Sequence, residues 1–309
     1  MFIPVIGAGS IGRRHHENLQ MLGVRTVLLP WRGFGPDGFR ALAADGVVLA
    51  TATPVRLELV AICAELGLPF YVEKPLAFDP ATLEAILAAA GGLAKRSMVG
   101  FMMRYHPAFR RLAGADLSSI YDASFGIGHD VRLWRQNWSF AASYAAQAAG
   151  GGVLLDLCHE FDMAQTLLPQ LLPGQVDCLG HDGFPGVDFA TRVVLQGPGA
   201  VGTVAMDYLS PVSYRRMVLR GTEVVADFDL VAGRYRLDDR TGPQDLALPH
   251  QRNEMFLAAM TDFLHLVAGR AVSDVEHLPR LDLAAGSCRA IAAAWAARQF
   301  TGRITGDYA

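Results

Sequence analysis

Only two of the 27 basic residues are lysines, and one of these, Lys74, sits in "FYVEKPLAF" between Glu73 and Pro75. Asp156, His159 and Asp162 form a second group in "AAGGGVLLDLCHEFDMA". On a single helix these i, i+3 steps put all three on one side. Histidine can exchange a proton near neutral pH, and so can a lysine that is desolvated or set near another cation, whereas arginine stays charged. These residue types suit alcohol oxidation or carbonyl reduction, in which one hydride and one proton move and a titratable group must handle the proton.

The elements that must position them read differently in the two halves. From residue 2 to about 100, "FIPVI", "TVLLP", "GVVLA", "PFYVE" and "SMVGF" alternate with helical patterns over Ser10 to Leu22, Gly38 to Ala44, Val55 to Leu66 and Pro80 to Ala90, the last capped by Asp79. Such alternation predicts an α/β domain, a Rossmann doubly wound parallel sheet over residues 1–115. Ligands bind beyond the carboxyl ends of strands in open sheets of this kind, where Glu73, Lys74 and Thr53 fall. "VIGAGSIGRRH" places Gly7, Gly9 and Gly12 in GxGxxG spacing between a strand and a helix, with Ser10 and Ile11 opening that helix. This is a pyrophosphate cradle, so a dinucleotide is expected. Where an NAD site carries an acid at the end of the second strand, this chain reads "LLPWRG". Trp31 and Arg32 there favour NADP, with its 2′-phosphate, over NAD.

Residues 116–309 read as an α+β substrate-binding and oligomerisation domain with an open, mostly antiparallel sheet. Its strand-like segments are "IYDASFGIGHDVRL", "FATRVVLQ", "GTVAMDYLS", "YRRMVLRG" and "TEVVADFDLV", separated by turn residues. Helices are expected over Val153 to Leu168, Asn253 to Gly269 and Leu281 to Phe300, the last two able to pack back on the first domain. "GFMMRYHPAFRRL" offers Arg104, Tyr105 and His106 as substrate contacts. "VRLWRQNWSF" offers Trp134 and Trp138 for ring stacking, with Arg135 and Asn137.

The totals exclude several classes. With 309 residues, 51% hydrophobic and 18% charged, at a formal net charge of -3, the chain reads as a soluble protein with no nucleic-acid or membrane surface. Cys63, Cys158, Cys178 and Cys288 are widely spaced, which predicts free thiols in a reducing compartment and no structural zinc. The remaining histidines show no ligand spacing, so no metal is expected. "MFIPVIGAGS" reads as a first strand rather than a signal peptide, and no apolar run approaches the ~18 residues of a membrane span, so a cytoplasmic location is expected.

In "GAGSIGRRH", "VEKPLAF" and "GGGVLLDLCHEFD", taken in that order, the chain resembles the Gfo/Idh/MocA oxidoreductases. The resemblance implies an NAD(P)-dependent enzyme transferring a hydride between nicotinamide and a hydroxyl or ketone carbon of a sugar-like or cyclitol-like substrate. It implies that Lys74 lies beside the nicotinamide and reaches the substrate oxygen, that Pro75 aims it, often through a cis bond, and that His159 is the general acid/base with Asp156 as companion. Many members have four steps between that aspartate and histidine. Here there are three, a spacing shared by one branch of the family. Homodimers or homotetramers are implied as well. Two alternatives stay open: a non-catalytic dinucleotide-binding regulator of the same fold, and a redox-assisted hydrolase or lyase that retains its nicotinamide. A methyltransferase fits least, because "EKP" would go unexplained.

Overall fold

A computed structural model describes residues 1–134, 139–272 and 276–308. The chain divides into two compact units, Met1–His106 with His250–Cys288, and Pro107–Pro249 with Arg289–Ala309. The boundary expected near residue 115 compares with a division after His106, and the segment from His250 joins the first unit.

In the first unit, strands β1 (Val5–Ile6), β2 (Leu28–Leu29), β3 (Val47–Leu49), β4 (Phe70–Val72) and β5 (Met98–Val99) form a parallel sheet in the order β2-β1-β3-β4-β5. Helices α1 (Ser10–Met21), α2 (Gly35–Arg40), α3 (Arg56–Glu65) and α4 (Pro80–Ala90) alternate with the strands. β1, β3, β4 and β5 are buried along their whole length. Continuous apolar runs such as "VVL" and "FYV" suit strands covered on both faces. The α4 helix starts where expected, because the Asp79 carboxylate accepts from the Thr82 amide at 2.8 Å.

The glycine turn after β1 is set by close approach. Gly7 adopts φ +114°, and a Cβ there would lie 2.3 Å from the Ala50 carbonyl oxygen. A Cβ on Gly12 would lie 1.8 Å from the Gly7 carbonyl oxygen, so α1 can pack this closely only without a side chain. A Cβ on Gly9, by contrast, would meet no heavy atom within 4 Å beyond its chain neighbours.

The second unit opens with α5 (Pro107–Ala113) and contains, among the described residues, a sheet in the order β13-β12-β11-β10-β6-β9-β8-β7-β14. Its strands are β6 (Ile120–Gly128), β7 (Leu172–His181), β8 (Ala190–Gly197), β9 (Ala200–Asp207), β10 (Tyr214–Gly221), β11 (Val224–Asp229), β12 (Arg234–Asp239), β13 (Gly242–Leu246) and β14 (Gln299–Ile304). The β6–β9 and β7–β14 pairs are parallel and the remaining neighbours antiparallel, which makes the sheet mixed but mostly antiparallel. Strands β8 and β9 alternate: Val193, Leu195, Val204 and Met206 face the core while their neighbours turn outward.

Three helical expectations need correction, the first being that the helix expected over Gly38 to Ala44 is α2, Gly35–Arg40. The helix expected over Val153 to Leu168 is two helices, α6 (Val153–Asp156) and α7 (His159–Leu167), because the chain leaves helical geometry at Leu157, φ -102° and ψ 26°. Further on, α8 (Arg252–Val267) packs in the first unit, while α9 (Leu281–Ala296) ends short of Phe300. There the Arg298 side chain donates to the Trp295 carbonyl at 3.0 Å, and the chain continues as β14 beside β7.

Replacing Gly12 with Ala is expected to destabilise the protein by about 1–3 kcal/mol, since the added methyl has to displace backbone. Gly9→Ala should leave stability within about 0.5 kcal/mol, as at an open surface position. Urea unfolding of the two variants beside the wild type checks both.

Candidate functional site

The carboxyl ends of β1 to β4 carry the residues that could hold a dinucleotide. Gly9 and Ser10 are exposed and Ile11 half-buried at the start of α1, whose N-cap Gly9 brings no side chain to the first amides. The first turn of α1 therefore presents a helix N-terminus to an anion. Beyond β2, Trp31 is half-buried and Arg32 exposed, with no hydrogen bond or ion pair for Arg32 among the described residues. The Trp31 carbonyl accepts from the Gly35 amide at 3.2 Å, closing the turn that presents Arg32. Beyond β3, Thr53 is half-buried in a short 3-10 turn, and the Thr51 hydroxyl is buried without a partner. An open cradle at Gly9, an orphaned hydroxyl at Thr51 and an exposed arginine at the second strand's end fit a dinucleotide.

Beyond β4 lies a buried charge that sequence spacing did not expose. Glu73 is 6% exposed and its Oε1 stands 2.6 Å from Nε2 of His15, which is fully buried on α1. Burial pushes the Glu73 carboxyl up, but the His15 hydrogen bond and charge, with Lys74 and Arg56, together hold it below its ordinary value. Arg56 is itself buried and donates to the Thr51 carbonyl at 3.0 Å. Lys74 follows, half-buried, and its peptide bond to Pro75 is cis.

In the second unit, the glycine run before α6 is held by Asp188, a wholly buried carboxylate. The Leu154 amide and the Thr191 hydroxyl donate to its Oδ2 at 2.9 and 2.8 Å, while Arg298 donates to Oδ1 at 2.5 Å. Gly152 adopts φ +94°, and a Cβ there would lie 2.1 Å from Asp188 Oδ1. Asp156 ends the helix anchored in this way. It is buried, and its two oxygens accept from Tyr144 at 2.5 Å and Tyr208 at 3.0 Å. Burial and the Asp156 charge raise the Tyr208 phenol well above its ordinary pKa, so it remains a donor. His159 opens α7, half-buried, and Asp162 is buried on the same helix. The shared side expected for all three thus holds for His159 and Asp162, while Asp156 belongs to the preceding helix.

Other candidates have partners of their own. Arg104 is 3% exposed and donates to Ser287 Oγ at 3.3 Å, while Tyr105 donates to Asp262 at 2.9 Å, both bonds within the first unit. The His106 ring meets that of His250 at 3.9 Å between centroids. Trp134 is half-buried, its ring 5.4 Å from that of His129. Arg135, Asn137 and Trp138 lie outside the described residues. Sequence spacing passed over His129, yet its Nε2 is buried without a partner. Burial lowers its pKa against the pull of Asp156, Asp207 and Asp130. The four cysteines are free and buried, and no group of three metal-ligating side chains occurs among the described residues.

Asp188→Ala is expected to destabilise by about 3–5 kcal/mol, because it leaves the Arg298 charge buried without its carboxylate. Urea unfolding of Asp188→Ala, Arg298→Ala and the double variant checks it. The double variant should lose less than the sum of the singles.

No family model matches the chain. It is 25% identical over 231 residues to myo-inositol 2-dehydrogenase of Thermotoga maritima, covering 66% of this chain and 67% of that protein. It is 22% identical over 288 residues to UDP-N-acetylglucosamine 3-dehydrogenase of Acidithiobacillus ferrooxidans, covering 85% and 88%. The solved structure of the latter matches with a TM-score of 0.76 over 96% of both chains, at 18% identity. A 3-ketoreductase from Actinomadura kijaniata, solved with TDP-benzene and NADP, matches with a TM-score of 0.73 over 99% of both chains, at 17% identity. With dehydrogenases as sequence relatives and a fold shared with oxidoreductase structures, the chain is similar to the Gfo/Idh/MocA-type oxidoreductases.

Proposed function

We propose that the protein is an NADP-dependent oxidoreductase that interconverts a hydroxyl and a ketone on a sugar-like or cyclitol-like substrate. The observation that carries this reading is Lys74, an amine at the carboxyl end of β4, directly after a buried carboxylate held charged by His15. A cation there suits an oxygen that gains negative charge as a carbonyl is reduced or an alcohol deprotonated. The first unit serves as the cofactor module. Gly7, Gly9, Ser10, Ile11 and Gly12 would hold the pyrophosphate, Trp31 and Arg32 the adenosine 2′-phosphate end, and Thr53, Glu73 and Lys74 the nicotinamide end. A nicotinamide bound there supplies the hydride acceptor or donor.

His159, at the start of α7, serves as the general acid/base that exchanges the proton of the reaction. Asp156 serves as its companion and is fixed by the Tyr144 and Tyr208 hydroxyls. Support for a sugar or cyclitol comes from the named activities of the inositol and UDP-N-acetylglucosamine dehydrogenases to which the chain is similar. Support for NADP comes from the exposed Arg32 and the lack of an acid at that strand end.

The reading also places the protein in the cytoplasm as a homodimer or homotetramer. Four free, buried thiols suit a reducing compartment. No helix among the described residues is long and apolar enough to cross a membrane. Exposed Tyr121, Val201 and Val225, which stand on sheet strands, are the kind of apolar surface a second copy would cover.

Lys74→Ala is expected to lower kcat/KM by about 10²- to 10⁴-fold while NADPH still binds. Arg32→Ala should weaken NADPH by about 10-fold or more, the loss of one charge-assisted hydrogen bond, and leave NADH unchanged. Fluorescence titration with both nucleotides, then turnover on a sugar, cyclitol and keto-sugar panel, checks the pair. Full activity in Lys74→Ala, or an equal loss of both nucleotides in Arg32→Ala, would contradict the assignments.

A further inference from the structure

We propose that His15 is a positioning residue for the reaction: acting through Glu73, it holds a charged, immobile carboxylate at the root of Lys74. This rests on the reading above, in which Lys74 meets the substrate oxygen. The geometry lies wholly within the first unit. His15, the sixth residue of α1, is fully buried, and its Nε2 meets Glu73 Oε1 at 2.6 Å. The rings of Tyr71, at 5.1 Å, and Phe256, at 5.9 Å, stand edge-on to the imidazole and leave it little freedom to turn. On its other side Glu73 lies against a glycine, since a Cβ on Gly100 would come within 2.9 Å of Oε2. The carboxylate is therefore clamped between an imidazole and bare backbone.

The ionisable groups around Glu73 are His15 from α1, Arg56 at the start of α3, the adjacent Lys74, and the Tyr71 phenol on β4. A carboxyl this deeply buried would take up a proton unless a donor opposed its desolvation, and the hydrogen bond to His15 opposes it most. Without it the Glu73 value rises. Since a depressed carboxyl stabilises the fold at pH above its ordinary range and loses that contribution as pH falls, the benefit from His15 should be present at neutral pH and fade on acidification.

The test uses the full chain as wild type, His15→Phe and His15→Gln. The first readout needs no cofactor: thermal midpoints across the acid-to-neutral range. The deficit of His15→Phe should be largest at neutral pH and narrow as Glu73 takes up a proton in either protein, and His15→Gln, which keeps a donor, should lose less. The second readout is kcat/KM against pH on whichever panel substrate the wild type turns over. The acid limb should move up by about one pH unit or more in His15→Phe, and by less in His15→Gln. A folded His15→Phe whose two pH profiles run parallel to wild type overturns the inference. Should that variant not fold, Glu73→Gln decides: loss of the wild-type acid limb supports the inference, and an unchanged limb overturns it. A wild type that turns over nothing on the panel defeats the functional reading instead, and the midpoint profile still decides whether His15 holds Glu73 charged.

Discussion

An ionised carboxylate in a protein interior must be paired, and each unit of this chain has an important site built around one. Glu73 in the first unit and Asp188 in the second are both nearly inaccessible to water, so their environments had to supply donors in place of solvent. His15, Arg56 and Lys74 do so for Glu73; Arg298, Thr191 and the Leu154 amide do so for Asp188. Each pairing fixes a segment that carries a candidate catalytic group. Glu73 is the residue before Lys74, and Asp188 anchors the short helix that ends in Asp156.

The same requirement accounts for several glycines. A Cβ on Gly100 would strike the Glu73 carboxylate, and one on Gly152 the Asp188 carboxylate. Gly12 answers a different demand, the close passage of α1 over the turn at Gly7, and Gly7 the close approach of the Ala50 carbonyl beyond β3. A Cβ on Gly9 would meet no protein atom within 4 Å, so neither demand applies there.

Much of the first unit was legible because its signals are local. Short apolar runs bounded by turns marked all five strands, and GxGxxG marked the turn. The second unit was only partly legible. The strands β7, β12, β13 and β14 were passed over: "LPGQVDCLGH" and "GPQDL" carry proline, glycine and acids that weaken a strand pattern, yet neighbouring strands complete their ladders. The break between α6 and α7 had no marker either, because "VLLDLCHEF" is compatible with an unbroken helix. At the site, strand-end position exposed Lys74, and the glycine run exposed Asp156 and His159. The partners were out of reach: His15 lies 58 residues from Glu73 and Tyr208 lies 52 from Asp156, distances over which spacing says nothing. Arg104 and Tyr105 show the reverse case. Their types suggested substrate contact, and spacing gave no sign of their bonds to Ser287 and Asp262 within the first unit.

Hydride transfer can be followed atom by atom. NADPH deuterated at the transferring carbon, incubated with the wild-type protein and a panel of keto-sugars and inososes, should yield an alcohol one mass unit heavier. The deuterium should sit on the new carbinol carbon, with one NADP formed per alcohol. A product formed with no net oxidation of NADPH, or an alcohol free of deuterium, would contradict the proposed reaction.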